Sequence, residues 1–405
     1  MRPFTSTISL EEARRRLDAA VQPITRTERV RLEDAAGRVA AADVTSPIDV
    51  PPFARSAMDG YAVVAADTAG ATASTPARLR QLDRIYTGQM SSAVVERGTC
   101  AEIATGAPLP AGADAVVMVE ETRTSGEAID ILATAAAGQH IGRRGADIAT
   151  GDRVIASGDL LSPGRVGAIA AIGSTDVAVF AKPRVAILST GNEVIEPGGA
   201  LAPGQIFDVN RFTIGAIVSA HGGIAEPHRA AQDTVAALID ALDACATADL
   251  IVFSGGSSVG ERDLVVDAIA ARGEMIFHGI AVRPGKPTAF AQIRSASGST
   301  PFFGMPGNPT SCLSNAYILL VPFLRALARL PLHTPRIVRA PLGRRIASAV
   351  NRHQFYTVRL RDGVAFPAFK GSGDITSLSQ ADGYIEIPAD QSVVEEGAPV
   401  DVTLF

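Results

Sequence analysis

Three segments share one design: an apolar run, then a loop of glycine and small polar residues, then a helix-forming stretch. They are VAILSTGNEV (185–194), LIVFSGGSSVGERD (250–263) and FFGMPGNPTSC (302–312). Continuous apolar strands alternating with helices indicate a largely parallel sheet covered on both faces. In such a sheet the loops after the strands emerge together at the carboxyl edge, where ligands bind. Glycine lets the backbone approach a ligand closely, and free N–H groups at a helix start hold phosphate or another oxyanion. Gly255, Gly256, Ser257, Ser258 and Gly260 fit that role, with Asp263 opening the next helix. One such loop alone would be only a strand-to-helix turn with Asp263 as its cap. Three on one rim favour an anion or nucleotide site. The spacing matches neither a Walker A loop nor G-x-G-x-x-G.

Charged groups cluster around these loops. Glu193, Asp208, Asp233 and Asp263 are the acids, and VRPGKP (282–287) supplies Arg283 and Lys286. The acids suit Mg²⁺ bridging phosphate oxygens, and the bases suit the anion. Pro284 and Pro287 stiffen the segment that carries the two cations. Glu193 and Asp233 also have plain readings, as a solvated loop acid and a helix cap. The six histidines form no H-x-x-x-H or H-E-x-x-H pair, and no G-x-S-x-G elbow is present.

The rest of the chain is arranged around this region. Its 405 residues exceed one ordinary core, giving a prior of roughly two to four domains. SLEE (9–12) starts an amphipathic helix. A short strand follows, and a second helix is expected around 32–42. From 47 to 150, short apolar runs divided by Gly, Pro and Ser indicate a β-rich module. A helix over 161–172, with Pro163 in its first turn, returns toward the first region and makes that domain discontinuous. After Pro331 and Pro335 the texture is again short strands. The expected domains are 1–47 with 151–181, 48–150, 182–335 and 336–405. No tryptophan, 5% aromatic residues and a net charge of −5 argue against nucleic-acid partners. Cys100, Cys245 and Cys312 lack C-x-x-C spacing and read as core residues in a reducing compartment. The N-terminus has no apolar signal core, and the most apolar stretch, 316–324, is shorter than a membrane span and contains Pro322. A cytoplasmic protein without a membrane partner is expected.

Further motifs occur in a fixed order: ARSAMDGYAV (54–63), ATGAPLPAGADAVVMVEE (104–121), GQHIGRRGADIATG (138–151), then STGNEV, SGGSSVGERD, RPGKPTAF, GMPGNPTS and GSGDITSLSQADGY (371–384). Together they resemble the molybdopterin molybdenumtransferase family, bacterial relatives of the gephyrin E domain, over essentially the whole chain. The resemblance implies an elongated four-domain subunit of class α/β plus β. It would have a central molybdopterin-binding-type parallel α/β domain, a β-rich insertion domain, a helical/linker N-terminal domain and a small C-terminal β domain. It implies a homodimer that inserts molybdate into adenylated molybdopterin with Mg²⁺, giving molybdenum cofactor and AMP. The cleft would lie between the α/β domain of one subunit and the N-terminal domains of the other. Asp59 and Thr105, with Arg144 or its neighbour Arg143, would come from the partner. Glu193, Asp233 and Asp263 would be the acids, with Glu193 and Asp263 on the metal, Arg283 and Lys286 the anion-binding bases, and Ser372 a contributor from the last domain. Contacts with the pterin adenylyltransferase and with molybdoenzyme chaperones are also implied. Three departures stand out: Asn192 where the family more often has Asp, Arg283 in place of Lys, and Thr357 at a position often filled by Arg. Arg359, two residues along the same strand face, is the expected substitute. A pterin adenylyltransferase and a non-catalytic scaffold that hands over cofactor are the competing readings.

Overall fold

The computed structural model describes residues 7–191, 193–228, 234–255, 264–295, 298–348 and 351–405. The chain divides into two compact units, 29–179 and the remainder.

The larger unit is built on a six-stranded sheet in the order Ile224–Pro227, Arg184–Ser189, Leu250–Ser254, Gly298–Met305, Ala289–Ser295, Gly273–His278. The first four strands are parallel, and the last two extend the sheet antiparallel. Alternate side chains of each strand serve opposite faces. Val185, Ile187, Val252 and Phe303 join the core formed with helix Asn210–Ala220 and the helical run Pro309–Leu327. Ala186, Leu188, Ile251, Phe253 and Phe302 join the core under helices Val235–Ala244 and Leu264–Arg272. Both faces are thus covered, as uninterrupted apolar strands require.

The Pro309–Leu327 run is long and apolar enough to cross a membrane by composition, but 72% of it is buried among the other elements. It is a core helix of this sheet. The N-terminal helix Leu10–Ala20 belongs to the same unit: Ser9 accepts from the Glu12 N–H at 3.1 Å, and Leu10, Ala13 and Leu17 are buried. The C-terminal residues form a second sheet with its own core, in which His353–Arg361 pairs with Gly383–Ile387. The two sheets are linked because Val282–Arg283 runs parallel to His353–Arg361, with Val282 opposite His353 and Arg283 opposite Gln354.

The smaller unit contains a sheet in the order Ala115–Met118, Gly60–Val63, Thr99–Ile103, Ala77–Ile85, Ala128–Ile131, Thr122–Ser125. Helix Pro163–Ala171 is capped by Ser162, and its Ile169 shares a core with Ala35, Ala40 and Val177. The helix expected over 32–42 is absent. Only a 3₁₀ turn, Leu32–Asp34, forms there. Gly37 takes φ +76°, and the amides of Gly37 and Ala40 donate to the carbonyls of Leu161 and Asp159, both at 2.9 Å. These long-range bonds replace the i→i−4 ladder a helix would need.

Candidate active site

The parallel register brings the ends of three strands to one edge. Ser189 lies opposite Ser254, and Ser254 opposite Met305, so the strands end side by side. A cleft of about 1060 Å³ opens there. Its floor is neutral and polar, formed by Ser189, Thr190, Ser254 and Gly255. Gly255 has φ +120°, and a Cβ at that position would stand 2.4 Å from the Thr190 carbonyl oxygen. No residue with a side chain fits this packing. Asn210, at the start of its helix, donates from Nδ2 to Ser254 Oγ and to the Gly307 carbonyl, both at 2.7 Å. One amide therefore locks helix, strand end and the GMPGNP loop together.

The cations stand on other walls. Arg283 and Lys286 line the cleft from the RPGKP loop, and Arg352 and Lys370 line it from the C-terminal region. Lys370 Nζ is steadied by Thr376 Oγ1 at 3.0 Å. Ser372 also lines the cleft; its Oγ accepts from Asn308 Nδ2 at 3.0 Å. Among the described residues the acids are Glu193 and Asp208. Asp208 Oδ1 is already committed to the Arg211 N–H at 3.0 Å, and Arg211 pairs with Glu196 at 2.6 Å. Glu193 folds back over Gly191, where a Cβ would meet its carboxylate oxygens at 2.9 Å. Among the described residues, a dianion entering this cleft meets four cations and several neutral donors, the combination that oxyanions need after losing their hydration.

Of the residues singled out in the sequence, Glu193, Asp208, Gly255, Arg283, Lys286 and Ser372 converge on this cleft. Gly256, Ser257, Ser258, Gly260, Asp233 and Asp263 lie outside the described residues, as does Asn192. The cap of the helix after Asp233 is Thr234, whose hydroxyl accepts from the Ala237 N–H at 3.2 Å. Asp59, Thr105 and Arg144 belong to the smaller unit. There Asp59 Oδ1 accepts from the Thr105 N–H at 2.7 Å. Arg144 Nε donates to Asp49 Oδ2 at 2.6 Å. The Thr150 N–H, the Thr150 hydroxyl and Arg144 together hold the Asp49 carboxyl below its usual range.

One expectation is corrected. Arg359 does not stand in for an arginine at 357: its Nε donates to the Gln380 carbonyl at 2.6 Å, away from the cleft lining. Thr357 is buried. The guanidinium that does line the cleft is Arg352. Neither Arg352 nor Lys370 was found from the sequence, because no motif marks them. They reach the cleft through the pairing of 282–283 with 353–354. Burial pushes the thiols of Cys100 and Cys312 up to about 12 and that of Cys245 up to about 11, which keeps all three protonated and supports the core reading. Among the described residues no group of three or more His, Cys, Asp or Glu is placed to hold a metal.

Three family models match in collinear order: MoeA N-terminal region (domain I and II) over residues 8–173, probable molybdopterin binding domain over 186–326, and MoeA C-terminal region (domain IV) over 339–405. Molybdopterin molybdenumtransferase 2 of Mycobacterium tuberculosis is 35% identical over 401 residues, 95% of each chain. Molybdopterin molybdenumtransferase of Haemophilus influenzae is 31% identical and covers 98% of each chain. Among solved structures, a molybdopterin biosynthesis MoeA protein from Pyrococcus horikoshii superimposes with TM-score 0.85 at 38% identity, over 98% of this chain and 99% of that one.

Proposed function

Since the chain belongs to the molybdopterin molybdenumtransferase (MoeA) family and shares its four-domain architecture, we propose that it inserts molybdate into adenylated molybdopterin. The products are molybdenum cofactor and AMP. The observation that supports this most is the alignment of Ser189, Ser254 and Met305 at one sheet edge, facing Arg283 and Lys286 across the cleft. The domains of this reading are 1–47 with 151–181, 48–150, 182–335 and 336–405, with helix Leu10–Ala20 of the first packed into the sheet core of the third. The working protein is a cytoplasmic homodimer in which Asp59, Thr105 and Arg144 are supplied by the partner subunit. Handover contacts with the pterin adenylyltransferase and with molybdoenzyme chaperones belong to the same reading.

The same reading includes Mg²⁺, which takes one or two carboxylates and fills its remaining positions with phosphate oxygens and water. Glu193 is the cleft acid with its carboxylate uncommitted to a helix start, and Asp263 is the second carboxylate of this proposal. Bound there, Mg²⁺ would neutralise charge on the phosphates of the adenylated substrate. Arg283, Lys286, Arg352 and Lys370 neutralise the molybdate dianion and hold it against the dithiolene, and the Ser372 hydroxyl fixes one of its oxygens. The glycine-bearing turn at Gly255 offers backbone N–H groups to the adenylate phosphate. As the two dithiolene thiols bind molybdenum, one molybdate oxygen leaves as water, carrying away both thiol protons. Water cleaves the phosphoanhydride, its proton passing to the phosphate oxygens as AMP departs.

The test is direct. Purified protein given adenylated molybdopterin, molybdate and Mg²⁺ should release AMP and yield cofactor that reconstitutes a cofactor-free molybdoenzyme, and chelation of the metal should stop both. Tight binding of the adenylated pterin with neither AMP release nor molybdenum uptake would overturn the proposal in favour of a scaffold. Adenylation of free molybdopterin from ATP would instead identify an adenylyltransferase.

A further inference from the structure

The loop that carries Arg283 and Lys286 is closed at its neck by backbone bonds. The Ile280 N–H donates to the Lys286 carbonyl and the Gly279 N–H to the Thr288 carbonyl, each at 2.9 Å. Those bonds leave the tip, at Gly285, to be fixed by something else. Beneath it lies Asn315, the last residue of helix Pro309–Asn315, which is fully buried. Asn315 Nδ2 donates to the Gly285 carbonyl at 2.9 Å and to Thr288 Oγ1 at 2.5 Å. The Thr288 hydroxyl donates to the same Gly285 carbonyl at 2.9 Å. Gly285 has φ +104°, and a Cβ there would stand 2.2 Å from Asn315 Nδ2. The loop backbone therefore lies directly on the amide.

The other end of the same helix is tied to the C-terminal loop. The Thr310 N–H donates to the Ser372 carbonyl at 3.0 Å, and Thr310 Oγ1 donates to the Asp374 carbonyl at 2.7 Å. The helix is thus a strut between the loop bearing Arg283 and Lys286 and the loop bearing Ser372. After Asn315 the chain widens into a π-helical segment, Ala316–Leu320, a local irregularity that concentrates at functional sites. Asn315 Oδ1, moreover, is buried with no hydrogen-bond partner. A half-satisfied buried amide is less stable than an apolar side chain of similar size. Retaining one where packing alone would favour leucine is expected where position matters more than stability.

We infer that Asn315 is a positioning residue: through Gly285 and Thr288 it sets where Arg283 and Lys286 present their charge, and so sets affinity for the tetrahedral oxyanion. The inference rests on reading the cleft as a molybdate site. It is tested by calorimetric titration of the full chain with molybdate, by thermal unfolding, and by AMP-release kinetics, for Asn315→Leu, Thr288→Val and Thr288→Ser. Asn315→Leu should weaken molybdate binding about tenfold and raise the KM for molybdate to match. Its kcat should stay within about twofold, and its Tm should be unchanged or higher. Thr288→Val should shift affinity in the same direction, and Thr288→Ser, which keeps the hydroxyl, should restore it. Unchanged molybdate affinity in Asn315→Leu, a Tm that falls together with affinity, or a Thr288→Ser as weak as Thr288→Val would overturn the inference while leaving the insertase reading intact. Absence of molybdate binding by the unsubstituted chain would remove both claims.

Discussion

His221 closes helix Asn210–Ala220 with its backbone N–H on the Ile217 carbonyl at 3.0 Å, and its ring meets His333 edge-on at 5.1 Å between centroids. Burial, reinforced by His333 and Arg325, lowers the His221 ring to about 4 from an ordinary 6.5, and burial lowers His333 as well. The folded chain therefore keeps the His221 ring neutral at pH values where the unfolded chain protonates it. Between about pH 6.5 and pH 4 the unfolded state binds more protons, so stability falls as pH falls through that window. His221→Phe should flatten the slope of Tm against pH there, measured as the difference from the unsubstituted chain. An unaltered slope would show that the ring is not the titrating group. Legibility at this scale followed local chemistry. Arg283 and Lys286 could be read because prolines flank them in one short segment. Asn210 could not, since its value comes from bonds to Ser254 and Gly307, 44 and 97 positions away. The orphaned Asn315 carbonyl likewise has no sequence signal.

Elements were legible where hydrophobic period and end signals agreed, and the N-terminal helix shows what that agreement is worth. Ser9 caps it, and Leu10, Ala13 and Leu17 fall at helical spacing on one buried face. That face joins the core of the parallel sheet, together with Phe277 and Ile280. Just before it, the Ile8 carbonyl accepts from the Ala281 N–H at 2.8 Å, so the chain entering this helix braces the strand that leads into Arg283. Leu17→Ala should cost about 2–5 kcal/mol in urea denaturation. A loss well under 1 kcal/mol would mean that this helix is an accessory and not part of the core. The 32–42 segment was misread because apolar spacing there mimics a helix, while Gly37 in the left-handed region and bonds to 159–161 decide otherwise. The antiparallel extension of the sheet by Ala289–Ser295 and Gly273–His278 was equally hidden. Strand direction depends on the length and path of connections, which composition does not encode.

At the scale of the whole molecule, a net charge of −5 works against capture of a dianion, so affinity must come from the local field of a few placed cations. The proposed assembly adds a stronger constraint: Lys286 and Asp59 of a working site come from different subunits. That claim rests on family membership and can be settled by pairing two inactive chains. Asp59→Ala leaves the α/β cleft intact, and Lys286→Ala leaves the partner's contribution intact, so each homodimer should be inactive. Co-expressed under two affinity tags and purified through both, the heterodimer has one site that draws both intact contributions and one that draws both defective ones. It should recover about half the AMP-release activity of the unsubstituted dimer, as two-fold symmetry with shared sites requires. If Lys286 and Asp59 instead served one site within a single chain, every site in the heterodimer would carry one defect and no activity would return. The two architectures thus predict half and none, a difference too large for incomplete exchange or modest instability to blur.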